Sequence, residues 1–396
     1  MKILHIGPKI PFPLGDGGNI GIYSHIKCLK LAGFDIDFVG YTRDTNKNQA
    51  IEFYKDYCKL YFIDLYPKIN VKVAIKSFFT KYPVNVYIYI NKQMEDFVTD
   101  YLKNNKPDYV FINNIHMTWL VDTIRKYSDA PIILKEENFE AMIMKRFYKR
   151  TNNIILKLYS FIQYKKILKF EIEYANKVDN CFCVSEFDAE EIKKYNNNIN
   201  ATSQAVAIEI PDSLEIFEQE KYSLCHIGSL AWEPNYNSLL WFIDNVMPLL
   251  IKKFTDVKLY IYGNLANRNI KIPNDFKNNI EIVGFVDDIK KHALSKEVLV
   301  VPLQIGSGIR IKILEFLAWG AVIVSTDIGK EGIDIKDSEH LLIANTPQEF
   351  VDKISLVFEN KINKQEITEN AKIFIKNNYS FEAVAKLLNY VIKSVK

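Results

Sequence analysis

The fold class follows from MKILHIGPKIPFPLGDGGNIGIYSHIKCLKLAGFDIDFVGY, residues Met1–Tyr41. The apolar run Lys2–Gly7 predicts a strand, and the spacing of apolar residues over Asn19–Ala32 predicts a helix that ends at Gly33. A second strand is predicted at Asp35–Tyr41. Two buried strands joined by a helix within about 40 residues form a βαβ unit, which implies a parallel sheet.

The same alternation of strands and helices continues along the chain and starts again after Pro211. Before that residue, further strands are predicted at Lys59–Ile63, Tyr109–Asn113, Pro131–Lys135 and Asn180–Val184. After it, the pattern predicts a long helix at Asn235–Lys253 and strands at Tyr222–Ile227, Val257–Tyr262, Ile280–Val283, Glu297–Val301, Ala321–Ser325 and Leu341–Ala344. With a break near residues 200–215, these two series predict an α/β protein of two Rossmann-like doubly wound domains facing a central cleft. Ligands of open parallel sheets bind at the carboxyl ends of the strands, so the cleft is the expected site.

The composition excludes several classes of protein. Of the 396 residues, 48% are hydrophobic and 25% are charged, which is typical of a folded globular chain. The formal net charge of +3 indicates no polyanionic partner, and no apolar run approaches the roughly 18 residues that a membrane span needs. The apolar stretch at the start is too short for a signal peptide, and the five cysteines are scattered and odd in number. These features predict a reduced, cytoplasmic protein.

Two glycine-containing loops between a strand and a helix are candidate binding sites. Pro11–Asn19 holds Gly17 and Gly18, but its glycine spacing does not fit the dinucleotide fingerprint, and a flexible turn explains it equally well. The loop Gly228–Asn235 ends in a residue type that favours a helix N-cap. By itself this loop indicates only a helix start, although its place after the first strand of the second domain makes it a candidate diphosphate contact.

A third loop, VPLQIGSGIRIKILE, spans Val301–Glu315 and joins a strand to a helix with two cations in its first turns. Its backbone amides can hold a phosphate while Arg310 or Lys312 neutralises the charge. Cations at the start of a helix oppose the helix dipole, which a nearby anion would explain. The spacing places Gly308, Lys312 and Glu315 on one helical face. The alternative is that Lys312 and Glu315 form a surface ion pair without a function.

Together these motifs resemble the group 1 retaining glycosyltransferases. The resemblance is specific over about residues 222–335 and looser before them. In the second half it rests on Gly228-Ser229 with Trp232 and Pro234-Asn235, on Gly284–Asp288, on Gly306–Glu315 before Gly320, and on Val324–Gly332. In the first half it rests on Pro11–Pro13 with Gly17-Gly18, on Lys135–Glu140 and on Val184–Glu186.

The resemblance implies a GT-B fold and a sugar transfer that uses no metal and no cofactor, with a nucleotide-diphosphate sugar as co-substrate. It implies an acceptor-binding domain at residues 1–205, a nucleotide-sugar-binding domain at 206–378 and a helix at 379–396 that crosses back to the first domain. Glu315 matches the second Glu of the family's E-x7-E element, which holds the ribose hydroxyls, whereas Ser307 replaces the first. The implied donor contacts are Gly228, Ser229, Ser307, Gly308, Ile309, Arg310, Lys312 and Glu315, with Arg310 and Lys312 also catalytic at the leaving diphosphate.

On the acceptor side, the resemblance implies contacts at Gly17, Gly18 and Asn138 and a catalytic role for His116 near the transferred sugar. Glu137 stands where related chains often have His, so a different acceptor is expected. The alternative for His116 is a half-exposed loop histidine without a role. Histidines spaced as metal ligands are absent from the sequence, so no zinc site is predicted. Two of the six, His5 and His226, lie in apolar strands and are predicted core residues.

Residues 141–170 carry eight Lys or Arg and no acid, with apolar residues between the cations. A basic amphipathic helix of this kind predicts peripheral contact with the anionic inner face of the membrane. The alternative is a long helix that packs its apolar face on its own domain. No nucleic-acid-binding motif accompanies the cations, so nucleic acid is not predicted as a partner.

The predicted function is a retaining glycosyltransferase that moves a sugar from a nucleotide sugar to a glycan or lipid-linked acceptor in surface-polysaccharide synthesis. Two alternatives stay open. A sugar-nucleotide epimerase of the same fold would convert the donor without an acceptor. The other alternative is a partner protein in a polysaccharide complex that binds sugar nucleotides without catalysis. It stays open because Ser307 stands where the family has the first Glu of its E-x7-E element.

Overall fold

The computed structural model describes residues 1–14, 17–42, 46–65, 67–211, 217–268, 270–305 and 309–395. Contacts between Cα atoms divide the chain into two units, one made of Met1–Ala207 with Phe381–Lys396 and one made of Ile208–Ser380. Within the described ranges, no helix combines the length and the apolar character that crossing a bilayer requires.

The first unit is built on a seven-stranded parallel sheet. Its strands are β1 (Lys2–Gly7), β2 (Asp35–Thr42), β3 (Lys59–Asp64), β4 (Tyr109–Asn113), β5 (Ile132–Glu136), β6 (Asn180–Cys183) and β7 (Ala201–Ser203), in the spatial order β3-β2-β1-β4-β5-β6-β7. Strand β1 is central and pairs Ile3 with Ile36 on β2 and with Tyr109 on β4. Its side chains alternate between the two faces, so Leu4 and Ile6 join one core layer and Ile3 joins the other.

Helices cover both faces of this sheet. They are α1 (Gly17–Leu31), α2 (Lys47–Tyr54), α3 (Val71–Phe78), α4 (Val84–Tyr87), α5 (Lys92–Asn104), α6 (Val121–Tyr127), α7 (Glu140–Arg150), α8 (Ile154–Ala175) and α9 (Glu186–Lys193). A 3-10 helix, Ile115–Leu120, follows β4 directly. Because parallel strands all end at the same edge, β1, β4 and β5 bring the loops that follow them to one edge of the sheet.

The second unit repeats this architecture with six parallel strands. They are β8 (Glu220–Ile227), β9 (Lys258–Tyr262), β10 (Ile280–Gly284), β11 (Lys296–Val301), β12 (Ile323–Ser325) and β13 (Leu342–Ile343), in the spatial order β10-β9-β8-β11-β12-β13. The helices are α10 (Glu233–Asn245), α11 (Met247–Lys253), α12 (Ile289–Leu294), α13 (Ile311–Trp319), α14 (Asp327–Lys330), α15 (Pro347–Phe358) and α16 (Lys364–Tyr379). Strands β8 and β11 pair at the centre of this sheet, so the loops after them lie side by side.

The last helix, α17 (Phe381–Ser394), belongs to the first unit and packs on α1. Its buried residues Val384, Leu388 and Ile392 join the core layer that holds Ile22 and Ile26 of α1. The Lys27 ammonium lies 4.0 Å from the centre of the Phe381 ring.

The structure corrects the sequence-based boundaries in the second unit. The helix predicted at Asn235–Lys253 is two helices, because Pro248 lies in the first turn of α11 and has no N–H with which to continue α10. Helix α10 also starts earlier than predicted, with Trp232 as its N-cap, so Asn235 lies inside the first turn and is not the cap. Helix α13 begins at Ile311, and Gly308, predicted on its face, lies outside the described residues.

Candidate functional site

The loop after β8 is held by two glycines that leave no room for a side chain. A Cβ on Gly263, whose φ is +123°, would lie 2.4 Å from the carbonyl oxygen of Gly228. A Cβ on Gly228 would lie 2.6 Å from Nδ2 of Asn235. The Gly263 contact is with backbone atoms, which cannot move aside, so the ends of β8 and β9 can meet in this way only with glycine at position 263, whereas the contact at Gly228 is with a side chain.

Lys312 connects α13 to this loop. Its Nζ donates to the carbonyl oxygen of Ile227 at 2.8 Å and lies 3.5 Å from Oδ1 of Asn235. The Asn235 amide in turn donates to the carbonyl oxygen of Ser229 at 3.1 Å. The surface ion pair between Lys312 and Glu315, which was the alternative reading of this helix, is not formed. The lysine is directed at the carboxyl end of β8.

Burial shifts the pKa values of Lys312 and of the titratable groups near it. Burial, together with the neighbouring Arg310 cation, lowers the pKa of Lys312 to about 7. Burial also lowers the pKa of His226 to about 3, with Lys312 as the second cause, so this imidazole is neutral at pH 7. Burial raises the pKa of Glu315 to about 7. An anion placed beside Lys312 would favour its charged form, which makes this edge of the sheet suited to a negative ligand.

Arg310 is the N-cap residue of α13 and stands next to Lys312 in the same first turn. Its side chain is only 7% exposed, and its guanidinium carbon lies 5.4 Å from the centre of the Trp232 ring. Cations and the open N–H groups of a helix start both attract an anion. Ile309 precedes this turn and is half-buried, whereas Ser307 and Gly308 lie outside the described residues.

In the first unit, the predicted residues lie on loops that follow three neighbouring strands. Gly17 and Gly18 begin α1 after β1, His116 lies in the 3-10 helix after β4, and Asn138 follows β5. A Cβ on Gly17 would meet no atom within 4 Å, so this glycine faces open space. The three loops therefore share one edge of the sheet, as the parallel topology requires.

His116 is held on two sides rather than lying loose in a loop. Its ring stacks on Tyr89 with 5.2 Å between ring centres, and Nε2 lies 3.4 Å from Nδ2 of Asn85. Its backbone N–H donates to Oδ1 of Asn114 at 3.2 Å. Burial lowers the pKa of His116 to about 4, so the imidazole is neutral at pH 7 and can accept a hydrogen bond from a hydroxyl.

Glu137 links the loops after β4 and β5. Its Oε1 accepts a hydrogen bond from Nδ2 of Asn113 at 3.1 Å and would lie 3.6 Å from a Cβ on Gly21 of α1. Asn138 is half-buried beside it. The carboxylate that stands in place of the family's usual histidine therefore lies where all three loops converge.

A group of buried carboxylates beneath this edge was missed by the sequence analysis. Glu171 of α8 accepts the backbone N–H groups of Glu140 and Ala141, both at 2.9 Å, and so holds the start of α7. Burial raises the pKa of Glu171 and of Glu136 well above the ordinary value, and it raises the pKa of Glu140 to about 7. No sequence pattern could reveal this group, because Glu136 and Glu171 meet only through the packing of α8. Among the described residues, no three His, Cys, Asp or Glu side chains are placed to hold a metal ion.

Three further residues of the second unit were missed or misread. Asn235 connects Ser229 to Lys312 instead of capping a helix, Trp232 lies over Arg310, and Gly263 allows the close approach of two strand ends. For Gly263, the signal available in the sequence was a glycine at the end of a strand. The contacts of Asn235 with Lys312 and of Trp232 with Arg310 join residues more than 70 positions apart, so they depend on the fold.

Comparison with known proteins found a family match within the second unit. Residues 221–360 match the family model of glycosyl transferases group 1. Over these residues the chain is similar to the group 1 glycosyltransferases. The matched range contains the Gly228–Ser229 loop and all of α13, and therefore Arg310, Lys312 and Glu315.

Similarity to known proteins extends over nearly the whole chain. An uncharacterized 44.6 kDa protein from the cps region of Klebsiella pneumoniae is 24% identical over 397 residues, covering 97% of both chains. Sucrose-phosphate synthase from Thermosynechococcus elongatus has a TM-score of 0.73 at 12% identity, covering 100% of this chain and 99% of the other. HepE from Anabaena, solved in complex with UDP, has a TM-score of 0.68 at 10% identity and covers 100% of both chains. The predicted GT-B class, with two Rossmann-like doubly wound domains, is confirmed.

Proposed function

We propose that the chain is a retaining glycosyltransferase that moves a sugar from a nucleotide-diphosphate sugar to a glycan or lipid-linked acceptor in surface-polysaccharide synthesis. The observation that carries the proposal is the pair of cations at the start of α13, the buried Arg310 and the half-buried Lys312, beside the Gly228–Ser229 loop. Two comparisons support it, since HepE was solved with UDP and the Klebsiella relative comes from a cps region.

In this proposal the diphosphate of the donor binds against the start of α13. The Arg310 guanidinium and the Lys312 ammonium neutralise the charge that grows on the diphosphate as the bond to the sugar breaks. Backbone N–H groups at the helix start add to this effect, and because all of these groups are held in place beforehand, little reorganisation is needed during the reaction. Glu315, one turn further along α13, accepts hydrogen bonds from the ribose hydroxyls.

The first unit holds the acceptor in this proposal, at the edge formed by Gly17, Gly18 and Asn138. His116 is neutral at pH 7, so its imidazole can accept a proton or a hydrogen bond from a sugar hydroxyl without first losing a charge. Glu137, at the convergence of the loops, contributes an acceptor of hydrogen bonds that can select the hydroxyl pattern of the incoming sugar.

The first test is binding. A panel of nucleotide sugars is expected to include one that raises the melting temperature, because a ligand at 100 times its Kd stabilises the folded protein by about 2.7 kcal/mol. For a domain of this size that corresponds to an increase of roughly 5–10 °C in differential scanning fluorimetry. The proposal fails if no nucleotide sugar at saturating concentration changes the melting temperature.

The second test separates transfer from the two alternatives. With the donor found in the panel and a crude glycolipid acceptor fraction, we expect release of nucleoside diphosphate that depends on the acceptor. Conversion of the donor to an epimer without acceptor would instead show an epimerase. Binding without any turnover, in both the wild type and Glu315→Ala, would show a non-catalytic partner.

The affinity for the donor is expected to fall as the pH rises above about 7. In the free protein Lys312 loses its proton there, and the diphosphate restores it, so binding takes up a proton and Kd weakens by up to about tenfold per pH unit. Glu315 ionises over the same range, and because the charged carboxylate is the better acceptor for the ribose hydroxyls, its contribution acts in the opposite direction and reduces the slope. Isothermal titration calorimetry in buffers of different ionisation enthalpy measures the proton uptake directly.

Two variants separate the contributions to this pH dependence. In Lys312→Met, most of the slope of log Kd against pH should disappear. In Glu315→Gln, the contribution of Lys312 to this slope should remain. An unchanged slope in Lys312→Met would contradict the assignment. The stability of the free protein changes with pH in the opposite direction to the donor affinity. The unfolded chain holds the Lys312 proton up to about pH 10.4, whereas the folded chain loses it near pH 7, so the free energy of unfolding rises with pH between these values. Deprotonation of this group therefore stabilises the fold between about pH 7 and 10.

A further inference from the structure

The basic stretch at residues 141–170 divides into two parts in the structure. In its second part, α8 packs on its own domain through buried residues that include Gln163, Ile167 and Phe170, as the packing alternative predicts. The first turns of α8 are different, because Ile154 and Ile155 are 83% and 82% exposed and Leu158 is 61% exposed. Solvent-exposed aliphatic side chains in adjacent turns are unusual for a surface helix and indicate an interaction surface.

A second segment with the same character adjoins this helix. Residues 65–94 contain five lysines and no acid, and they include α3. At the end of α3, Phe79 is 83% exposed and Phe78 is 53% exposed. A hydrogen bond from Lys166 of α8 to the carbonyl oxygen of Ser77 joins the two helices, and the rings of Tyr82 and Phe170 lie 5.8 Å apart.

Several charges of this surface are not neutralised by an acidic residue, although Lys81 pairs with Asp122, and Lys92 pairs with Glu95 and Asp96. The two segments together hold thirteen Lys or Arg and no acid, whereas the whole chain has a net charge of +3, so the rest of the chain is net negative. Among the described residues, no carboxylate forms an ion pair with the exposed lysines Lys72, Lys76, Lys149 and Lys157. Exposed apolar side chains among unpaired cations are the combination that binds an anionic interface.

We propose that α3, the last turn of α7 and the first turns of α8 form a surface, here called the basic apolar face, that binds an anionic phospholipid bilayer. Ile154, Ile155, Phe78 and Phe79 enter the boundary between headgroups and acyl chains, and the lysines around them contact the lipid phosphates. The charge favours a bilayer over a second copy of this chain, because the same face on two copies would bring like charges together. This binding does not depend on the transfer reaction.

The test uses the full chain and vesicles of two compositions, phosphatidylethanolamine with phosphatidylglycerol at 3:1, and phosphatidylcholine alone. In sedimentation at low salt, we expect the wild type to partition at least tenfold more strongly onto the anionic vesicles. The preference should shrink at 0.5 M salt, which screens the charges. Equal binding to the two compositions, or no binding to either, would overturn the proposal.

Two variants of the basic apolar face and one matched control locate the contact. The apolar variant is Phe79→Ser with Ile154→Ser and Ile155→Ser, and it should weaken binding to anionic vesicles at least tenfold. The charge variant is Lys76→Glu with Lys157→Glu, which changes the net charge by −4 as the control does, and it should abolish the preference for anionic vesicles. The control changes exposed residues of α17 in the same unit, Leu387→Ser with Lys386→Glu and Lys393→Glu, and should bind as the wild type does.

All of these positions are exposed, and unchanged melting temperatures will show that the variants fold. Loss of binding in the α17 control equal to that in the charge variant would mean that only total charge matters, which would overturn the assigned face. Sedimentation equilibrium tests whether a second copy of the chain binds this surface instead of a bilayer. A wild-type dimer that the apolar variant converts to a monomer, together with no binding to vesicles, would show that the face is an interface between two copies.

Discussion

Replacing Lys312 by Met is expected to lower kcat/KM for sugar transfer by about 10²–10³-fold, the usual loss when one group that stabilises the transition-state charge is removed. The Nζ of Lys312 contacts Ile227 at the end of β8, next to the Gly228–Ser229 loop, and the proposed diphosphate lies beside it. Methionine keeps the length of the side chain and removes only the charge and the donor. Steady-state kinetics with the donor identified by thermal shift measures the effect.

The control for this variant is Lys252→Met. Lys252 is an exposed lysine at the end of α11 in the same unit, so its replacement changes the net charge equally without touching α13. It should leave kcat/KM within about twofold of the wild type, since exposed charges are screened and contribute little. If Lys312→Met keeps more than a third of wild-type activity, or if Lys252→Met loses as much, the role proposed for Lys312 is wrong.

Gly263→Ala is expected to lower the free energy of unfolding of the second unit by about 4 kcal/mol. The new Cβ would lie 2.4 Å from the carbonyl oxygen of Gly228, and alanine would also have to adopt a φ of +123°. Backbone strain of this kind costs about 1–3 kcal/mol, and forcing an extra carbon into packed atoms adds a similar amount. Urea titration measures the free energy, and the same displacement of the Gly228–Ser229 loop should weaken donor binding.

Gly284→Ala separates the strain from the clash. Gly284 also ends a strand of this sheet at a positive φ of +84°, but the nearest atom to its added Cβ is 3.9 Å away, on Leu265. Only the cost of the left-handed conformation applies there, so a loss of about 1 kcal/mol is expected. Equal losses in the two variants would show that the approach of the β8 and β9 ends does not limit stability.

Apart from β7 (Ala201–Ser203), which was not predicted, the strands of both sheets were predictable because their signal is local. Runs such as Tyr109–Asn113 and Ile280–Gly284 are short, apolar and followed by turn residues, so neighbouring positions in the sequence identify them. The helix predicted at Asn235–Lys253 was wrong because its apolar spacing continues across Pro248, and the missing N–H of that residue decides where α10 ends.

The sequence by itself determined the fold class, the loops that follow the strands of each sheet and the presence of cations at the start of α13. These properties depend on residues close together in the chain. It could not determine the environment of Lys312, since the same helix position fits an exposed pair with Glu315 and a buried contact with β8. The partner that decides between them, Ile227, is 85 residues away. Because burial sets the pKa of Lys312, its chemistry also depended on the tertiary structure.

The same distinction applies to the basic apolar face. The cations of residues 141–170 are evident in the sequence, but the net charge of +3 conceals them, and an amphipathic pattern does not say whether its apolar side chains face the domain or the solvent. Packing decided that, because the second part of α8 is covered by its own domain whereas Ile154 and Ile155 are exposed to solvent among the described residues. The lysines of residues 65–94 join this surface through tertiary contacts, among them Ser77 with Lys166 and Tyr82 with Phe170, which local sequence cannot encode.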